Sequence, residues 1–79
     1  TYIASTSDFY IGVNYAGTVS ITIPDVSNGV IMVVKDESGL AAANPITIVG
    51  SSIDNNNTAL LQINNGSLTF IYRNGWRII

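Results

Sequence analysis

Ile31-Met32-Val33-Val34-Lys35-Asp36-Glu37-Ser38-Gly39-Leu40-Ala41-Ala42-Ala43-Asn44-Pro45-Ile46-Thr47-Ile48 reads as strand, turn, corner and strand. Val30 to Val34 is apolar throughout and rich in β-branched residues, the pattern of a central strand buried on both faces. Such a strand packs a sheet on one side and a loop or a neighbouring subunit on the other. Asp36 and Gly39 are turn formers. The alanines at 41 to 43 make one helical turn at most, because so short a segment is unstable as a helix without packing. Asn44-Pro45 is a corner, and Ile46 to Val49 starts the next strand.

Outward from this stretch the chain reads as strands only. From Thr18 to Ile23 the alternation is complete: Val19, Ile21 and Ile23 face the core, while Thr18, Ser20 and Thr22 face water. Pro24 ends that strand, since it cannot donate to a ladder. Phe9 to Val13 is an earlier strand with Phe9, Ile11 and Val13 inward. Asp25 to Gly29 is a loop, and Asp54 to Thr58 is a polar turn containing three consecutive asparagines.

Asn65-Gly66 lies between two strand-like runs and predicts a two-residue type I′ hairpin. That register pairs Ile63 with Leu68, Leu61 with Phe70 and Ala59 with Tyr72, and leaves Gln62, Thr69, Asn64 and Ser67 on a wet face. Asn74-Gly75 predicts a second hairpin. A two-residue turn there would turn Trp76 outward. The three-residue loop Arg73-Asn74-Gly75, with Gly75 left-handed, pairs Tyr72 with Trp76 and Phe70 with Ile78. Burying the indole outweighs the ideal turn, because a large aromatic buries ~150–250 Å². The expected core face is Leu61, Ile63, Leu68, Phe70 and Tyr72 with Val19, Ile21 and Ile48. The fold class expected is all-β: a small antiparallel sandwich or compact barrel of about seven or eight strands, forming a single domain over residues 1–79.

Composition narrows the function classes. A 79-residue chain buries roughly 60–65% of its unfolded surface, and scaffolds of this size usually need a staple. There is no Cys for a disulfide or a thiolate zinc site, and no His, the commonest metal ligand and general base. Oligomerisation is the staple that remains. Only 10% of residues are charged, against about 25% in an average protein. Lys35, Arg73 and Arg77 are too few for a nucleic-acid footprint, and no apolar run reaches the ~18 residues of a membrane span. The strand-like ends and the absence of an initiating Met give the expectation of a fragment from a longer protein.

The candidate sites are few. Asp36 and Glu37 are adjacent and point opposite ways in a strand, which disfavours paired acid–base work, and Asp36 with Gly39 is expected in a turn role. Ser5, Ser7, Ser51 and Ser52 lack a His to activate them. A glycosidase pair needs carboxyls held ~5–10 Å apart, and the acidic residues here lie in turns, so the chain is not expected to be an enzyme. Asp54 with Asn55, Asn56 and Asn57 offers one carboxylate to a Ca²⁺, too little charge, so no metal or cofactor is expected. Asp8 and Asp25 are expected in a turn and a loop. Trp76 and Tyr72, with Asn55 and Asn56, are the candidate glycan contacts, although the alternation puts both rings in the core. Tyr2, Tyr10 and Tyr15 are less constrained and are candidate surface aromatics. Binding, if any, is expected in the loops Asp25 to Asn28, Glu37 to Asn44 and Ser51 to Thr58.

The order of short phrases carries a resemblance. Thr22 to Asp25 ends a strand in Pro-Asp; Lys35 to Gly39 is Lys-Asp-x-Ser-Gly; Asn44 to Ile48 is Asn-Pro-Ile-Thr-Ile; Gly50 to Asp54 is Gly-x-x-Ile-Asp; Asn74 to Ile78 is Asn-Gly-Trp-x-Ile. From about Phe9 to Ile79 this resembles the repeated small β module of bacteriophage tail fibres, tailspikes and related virion surface proteins. The resemblance implies a structural or oligomerisation module located in the virion, a homotrimer that connects or caps fibre segments, with adjacent fibre modules as partners. The alternative it implies is a receptor- or glycan-binding tip domain for attachment to a host surface. It supplies no catalytic residues.

Overall fold

A computed structural model describes residues 2–5 and 9–79. Eight strands form one curled, mixed sheet, a half-barrel, and no helix is present among the described residues. The strands are β1 (Tyr2–Ile3), β2 (Tyr10–Val13), β3 (Val19–Thr22), β4 (Ile31–Asp36), β5 (Ile46–Ile53), β6 (Asn56–Leu61), β7 (Ser67–Tyr72) and β8 (Trp76–Ile78). Their order across the sheet is β1-β3-β5-β8-β7-β4-β2, with β6 added alongside β5. The all-β class is as expected, but the sheet is not purely antiparallel: β1 with β3, β2 with β4, β3 with β5 and β5 with β8 are parallel pairs.

The curl originates in β5. Its first half, Ile46 to Val49, lies between β3 and β6. A register shift between Val49 and Ile53 bends the strand, and at Ile53 it runs beside Trp76 of β8 instead of β3. Bulges of this kind sharpen the local twist and turn sheets into barrels. The bend closes the inner face over Ile21, Met32, Val34, Ile46, Ile48, Ile53, Leu61, Phe70 and Trp76, all essentially without solvent contact.

Trp76 is the centre of this core. It meets Phe70 edge-on at 6.2 Å and Tyr72 at 5.3 Å, and its indole N–H donates to the Pro24 carbonyl at 3.0 Å. These are the T-shaped geometries that ring quadrupoles favour. The β7–β8 hairpin has the register expected from the need to bury this ring: Tyr72 opposite Trp76 and Phe70 opposite Ile78. Asn74 and Gly75 both take positive φ (53° and 115°), and the Arg73 amide donates to the Gly75 carbonyl.

Four expectations are corrected. The Asn65-Gly66 hairpin does not form. β6 pairs with β5, while β7 lies between β4 and β8. A type I′ turn needs positive φ at both central residues, and of this pair only Asn65 has it (58°). The dipeptide that meets the requirement is Asp54-Asn55 (48° and 68°), which joins β5 to β6 with Ile53 opposite Asn56. Second, Ile63 is 70% exposed, not in the core; it opens a turn closed by the Gly66 amide on its carbonyl. Third, Phe9 is 61% exposed and precedes β2, so that only Ile11 and Val13 of its row point inward. Fourth, β4 is dry on one face only. Met32 and Val34 are covered by the chain itself, whereas Ile31 and Val33 point to the outer face. The single helical turn at Leu40 to Asn44 and the inward row Val19, Ile21 and Ile23 are as expected.

The two registers are separable by mutation. Leu61→Ala is expected to cost ~2–5 kcal/mol and Phe70→Ala ~3–5 kcal/mol, whereas Ile63→Ser is expected to stay within about 0.5 kcal/mol of wild type. Urea unfolding of the three variants measures this. A large loss for Ile63→Ser would restore the β6–β7 hairpin.

Candidate functional site

Asp36 is a heavily bonded side chain among the described residues. Strand alternation buries it completely at the end of β4, while Glu37 next to it is exposed. Burial of a carboxylate is costly unless its lone pairs are filled. Here Ser38 donates its amide (3.1 Å) and its hydroxyl (2.6 Å) to Oδ1, and the amides of Ala41 and Asn65 each donate to Oδ2 at 3.0 Å. The Ser38 hydroxyl also accepts from the Leu40 amide, and Asn64 Oδ1 accepts from the Ala42 amide. The Asp36 amide donates to the Gly66 carbonyl. One carboxylate thus ties the end of β4 to the turn at 38–41 and to the connection between β6 and β7.

The Ser38 hydroxyl, helped by the amides of Asn65, Ala41 and Ser38 and opposed by burial, holds the Asp36 carboxyl down to about 2. Asp36 and Gly39, with φ of 77°, have the turn role expected of them. Glu37 accepts a 2.7 Å hydrogen bond from the Tyr10 hydroxyl. That bond, then burial, then the Glu37 charge raise the Tyr10 phenol above its usual range.

The candidate glycan contacts do not assemble. Trp76 is wholly buried and presents no ring face to a ligand, and Tyr72 packs edge-on against it. Asn55 and Asn56 are exposed, but they belong to the β5–β6 hairpin, with Asn56 Nδ2 donating to the Asp54 carbonyl. Asp54 Oδ2 accepts from the Ile78 amide, which ties that hairpin to β8. Asp25, a loop residue as expected, accepts from Ser51 at 2.5 Å. Asp8 and Ser7 lie outside the described residues. Of the expected loop 51–58, residues 51–53 and 56–58 are strand.

What the fold does bring together is the tyrosines. β1 and β2 are the two ends of the sheet path. An open trough of about 570 Å³ lies there, lined by Tyr2, Tyr10, Tyr15, the β2 backbone at Gly12, Asn14 and Thr18, over a floor of Ile11, Val13, Val19 and Ile21. The volume is that of an ordinary small-ligand site. The sequence left these tyrosines as candidate surface aromatics. Their convergence depends on the curl of the half-barrel, for which no local pattern speaks.

A carboxyl lowered from 3.8 to about 2 on folding stabilises the protein at every pH above the unfolded value and ceases to do so as pH falls through the folded one. Acid should therefore remove the Asp36 contribution between about pH 4 and pH 2. Asp36→Ala should lower the melting temperature at pH 7 and flatten the melting curve over that window. A variant that keeps the wild-type acid limb would place the titration elsewhere.

No model of a known protein family matches the chain, and no curated protein matches it.

Proposed function

We propose that this chain is a structural module of a phage tail fibre or tailspike, a homotrimer that connects or caps segments of the fibre. The observation that carries this reading is the outer face of β4 and β7. Met32 and Phe70 point inward, so their neighbours Ile31, Val33 and Ile71 point out, with Ile31 opposite Ile71 and Val33 opposite Thr69. The Ile79 amide donates to the Thr69 carbonyl, which brings Ile79 alongside. Ile31 is 46% exposed, Ile79 is exposed, and Val33 and Ile71 are half-covered.

Ile31, Val33, Ile71 and Ile79 cluster on this face, with Arg77 opposite Ile71 in β8, and an exposed apolar cluster edged by polar groups suits an interface. The sequence reads β4 as buried on both faces, the second against a loop or a neighbouring subunit; within the chain Ile31 stays 46% exposed, and in this reading a neighbouring copy covers it. The order of phrases from Thr22 to Ile78 supports the fibre assignment, and the role is geometric: three copies meeting on this face bury what a chain of this size leaves exposed. Gel filtration with light scattering should return the mass of three chains. Ile71→Glu should give a monomer whose circular dichroism is unchanged. A monomer at every concentration, or a trimer indifferent to Ile71→Glu, would overturn the reading.

A further inference from the structure

We infer that Asn74 is a site of spontaneous covalent modification, at which attack by the Gly75 main-chain nitrogen expels the side-chain amide and leaves aspartyl and isoaspartyl chains. The inference rests on the β7–β8 hairpin and is independent of the fibre reading.

Three dipeptides offer the sequence this reaction needs: Asn28-Gly29, Asn65-Gly66 and Asn74-Gly75. A glycine after the asparagine leaves the attacking nitrogen unshielded, because it carries no Cβ. The fold treats the three differently. At 28–29 both reacting groups are held: Asn28 Oδ1 accepts from the Asn74 amide at 2.9 Å, and the Gly29 amide donates to the Tyr72 carbonyl at 2.8 Å. At 65–66 both are held again. The Gly66 amide donates to the Ile63 carbonyl at 2.8 Å, and the Asn65 side chain lies against Gly39, where an added Cβ would come within 3.4 Å of Oδ1. The main chain of Asn65 is clamped as well, its amide on Asp36 and its carbonyl on the Lys35 ammonium.

At 74–75 neither group is held. Among the described residues the Gly75 amide donates to no acceptor, and the Asn74 side chain makes no hydrogen bond. Asn74 and Arg73 are exposed at the tip of the hairpin, so that its opening is a local event. Gly75 itself is covered, because the Ser52 side chain fills the space a Cβ would take, at 3.2 Å, and its φ of 115° excludes other residues. The hairpin therefore cannot exchange this glycine for a shielding residue. A covered main-chain donor without a partner is uncommon in a folded chain, and closure of the ring removes it.

The chemistry balances without a further reactant. The Gly75 nitrogen, losing its proton, bonds to Asn74 Cγ; the Cγ–Nδ2 bond breaks, and ammonia leaves with that proton. Water then opens the cyclic imide. Addition at Cγ gives aspartate, and addition at the main-chain carbonyl gives isoaspartate, in which the chain runs through the former side chain. Either product places a carboxylate in the loop flanked by Arg73 and Arg77. The isoaspartyl product also adds a backbone carbon to the loop that sets Trp76 opposite Tyr72.

The test incubates the 79-residue chain in warm, mildly alkaline buffer, folded and in urea, until the unfolded sample has converted at all three dipeptides. Trypsin separates the sites, because cleavage at Lys35, Arg73 and Arg77 puts Asn28, Asn65 and Asn74 on different fragments. Mass spectrometry reads the amide-to-acid gain on each, with the Asn74→Asp chain as the aspartyl standard. In the folded chain Asn74 should convert at least about tenfold faster than Asn28 or Asn65, since each of those has its reacting groups engaged. In urea the three rates should approach one another. Equal rates at the three sites of the folded chain, or a faster rate at Asn28 or Asn65, would overturn the proposal. So would an Asn74 that keeps its amide in the folded chain while the unfolded chain converts.

Discussion

The Asp36 carboxylate is the constraint on which the arrangement of the C-terminal two thirds depends. β4 must stop, the chain must cross to start β5, and the segment after β6 must return to start β7 beside β4. All three events meet at one buried side chain. Its two oxygens take four donors, from Ser38, Ala41 and Asn65, so the crossing and the return are fixed relative to each other. A hydrophobic residue of the same size would leave the amides of Ala41 and Asn65 without these acceptors, and an unmatched buried donor costs more than the bond it once made contributes. Among the described residues no buried side-chain polar atom lacks a partner. In a chain with so few charges, the one wholly buried carboxylate among the described residues is a joint.

The same joint explains why sequence patterns read part of the fold correctly and part not. The strand–turn–corner–strand reading of Ile31 to Ile48 was legible because alternation, Asx chemistry and Asn-Pro are all local. The Trp76 register was legible because one large ring outweighs a turn preference. The Asn65-Gly66 hairpin was misread for a physical reason. Asn65 is at a turn, but its amide is claimed by Asp36, 29 residues earlier, and its strand β7 is claimed by β4 and β8. Meanwhile Asp54-Asn55 adopts the two positive φ values of a type I′ turn without a glycine to announce it. Asn and Asp tolerate that region at modest cost, so the true hairpin carried a weaker signal than the false one. Parallel pairing was equally hidden, because the half-buried alternation of β3 is the same whether its neighbour runs with it or against it.

Aromatic placement follows a rule visible residue by residue. Trp76 has one polar atom, and Pro24 satisfies it from within the core, so nothing holds the ring at the surface. Tyr10 finds its partner in Glu37, which is itself exposed, so the ring is anchored outside. Sequence periodicity separated the two cases only in part. It placed Trp76 inward and left Tyr2, Tyr10 and Tyr15 outside, but it could not show that the last three share one trough, since that depends on β1 and β2 being the two ends of a curled sheet.

The scarcity of charge then governs how such a surface can recognise anything. With a net charge of −2 there is little field to steer a partner from a distance, so any association would proceed at the slower rate of neutral docking. Selectivity has to come from short-range fit, such as the apolar residues on the outer face of β4 and β7 and the exposed tyrosines at the seam. Both surfaces are rigid for the same reason. Each is the reverse or the rim of a sheet whose inner face is packed on Met32, Phe70 and Trp76, so the core that stabilises the chain also backs its exposed residues.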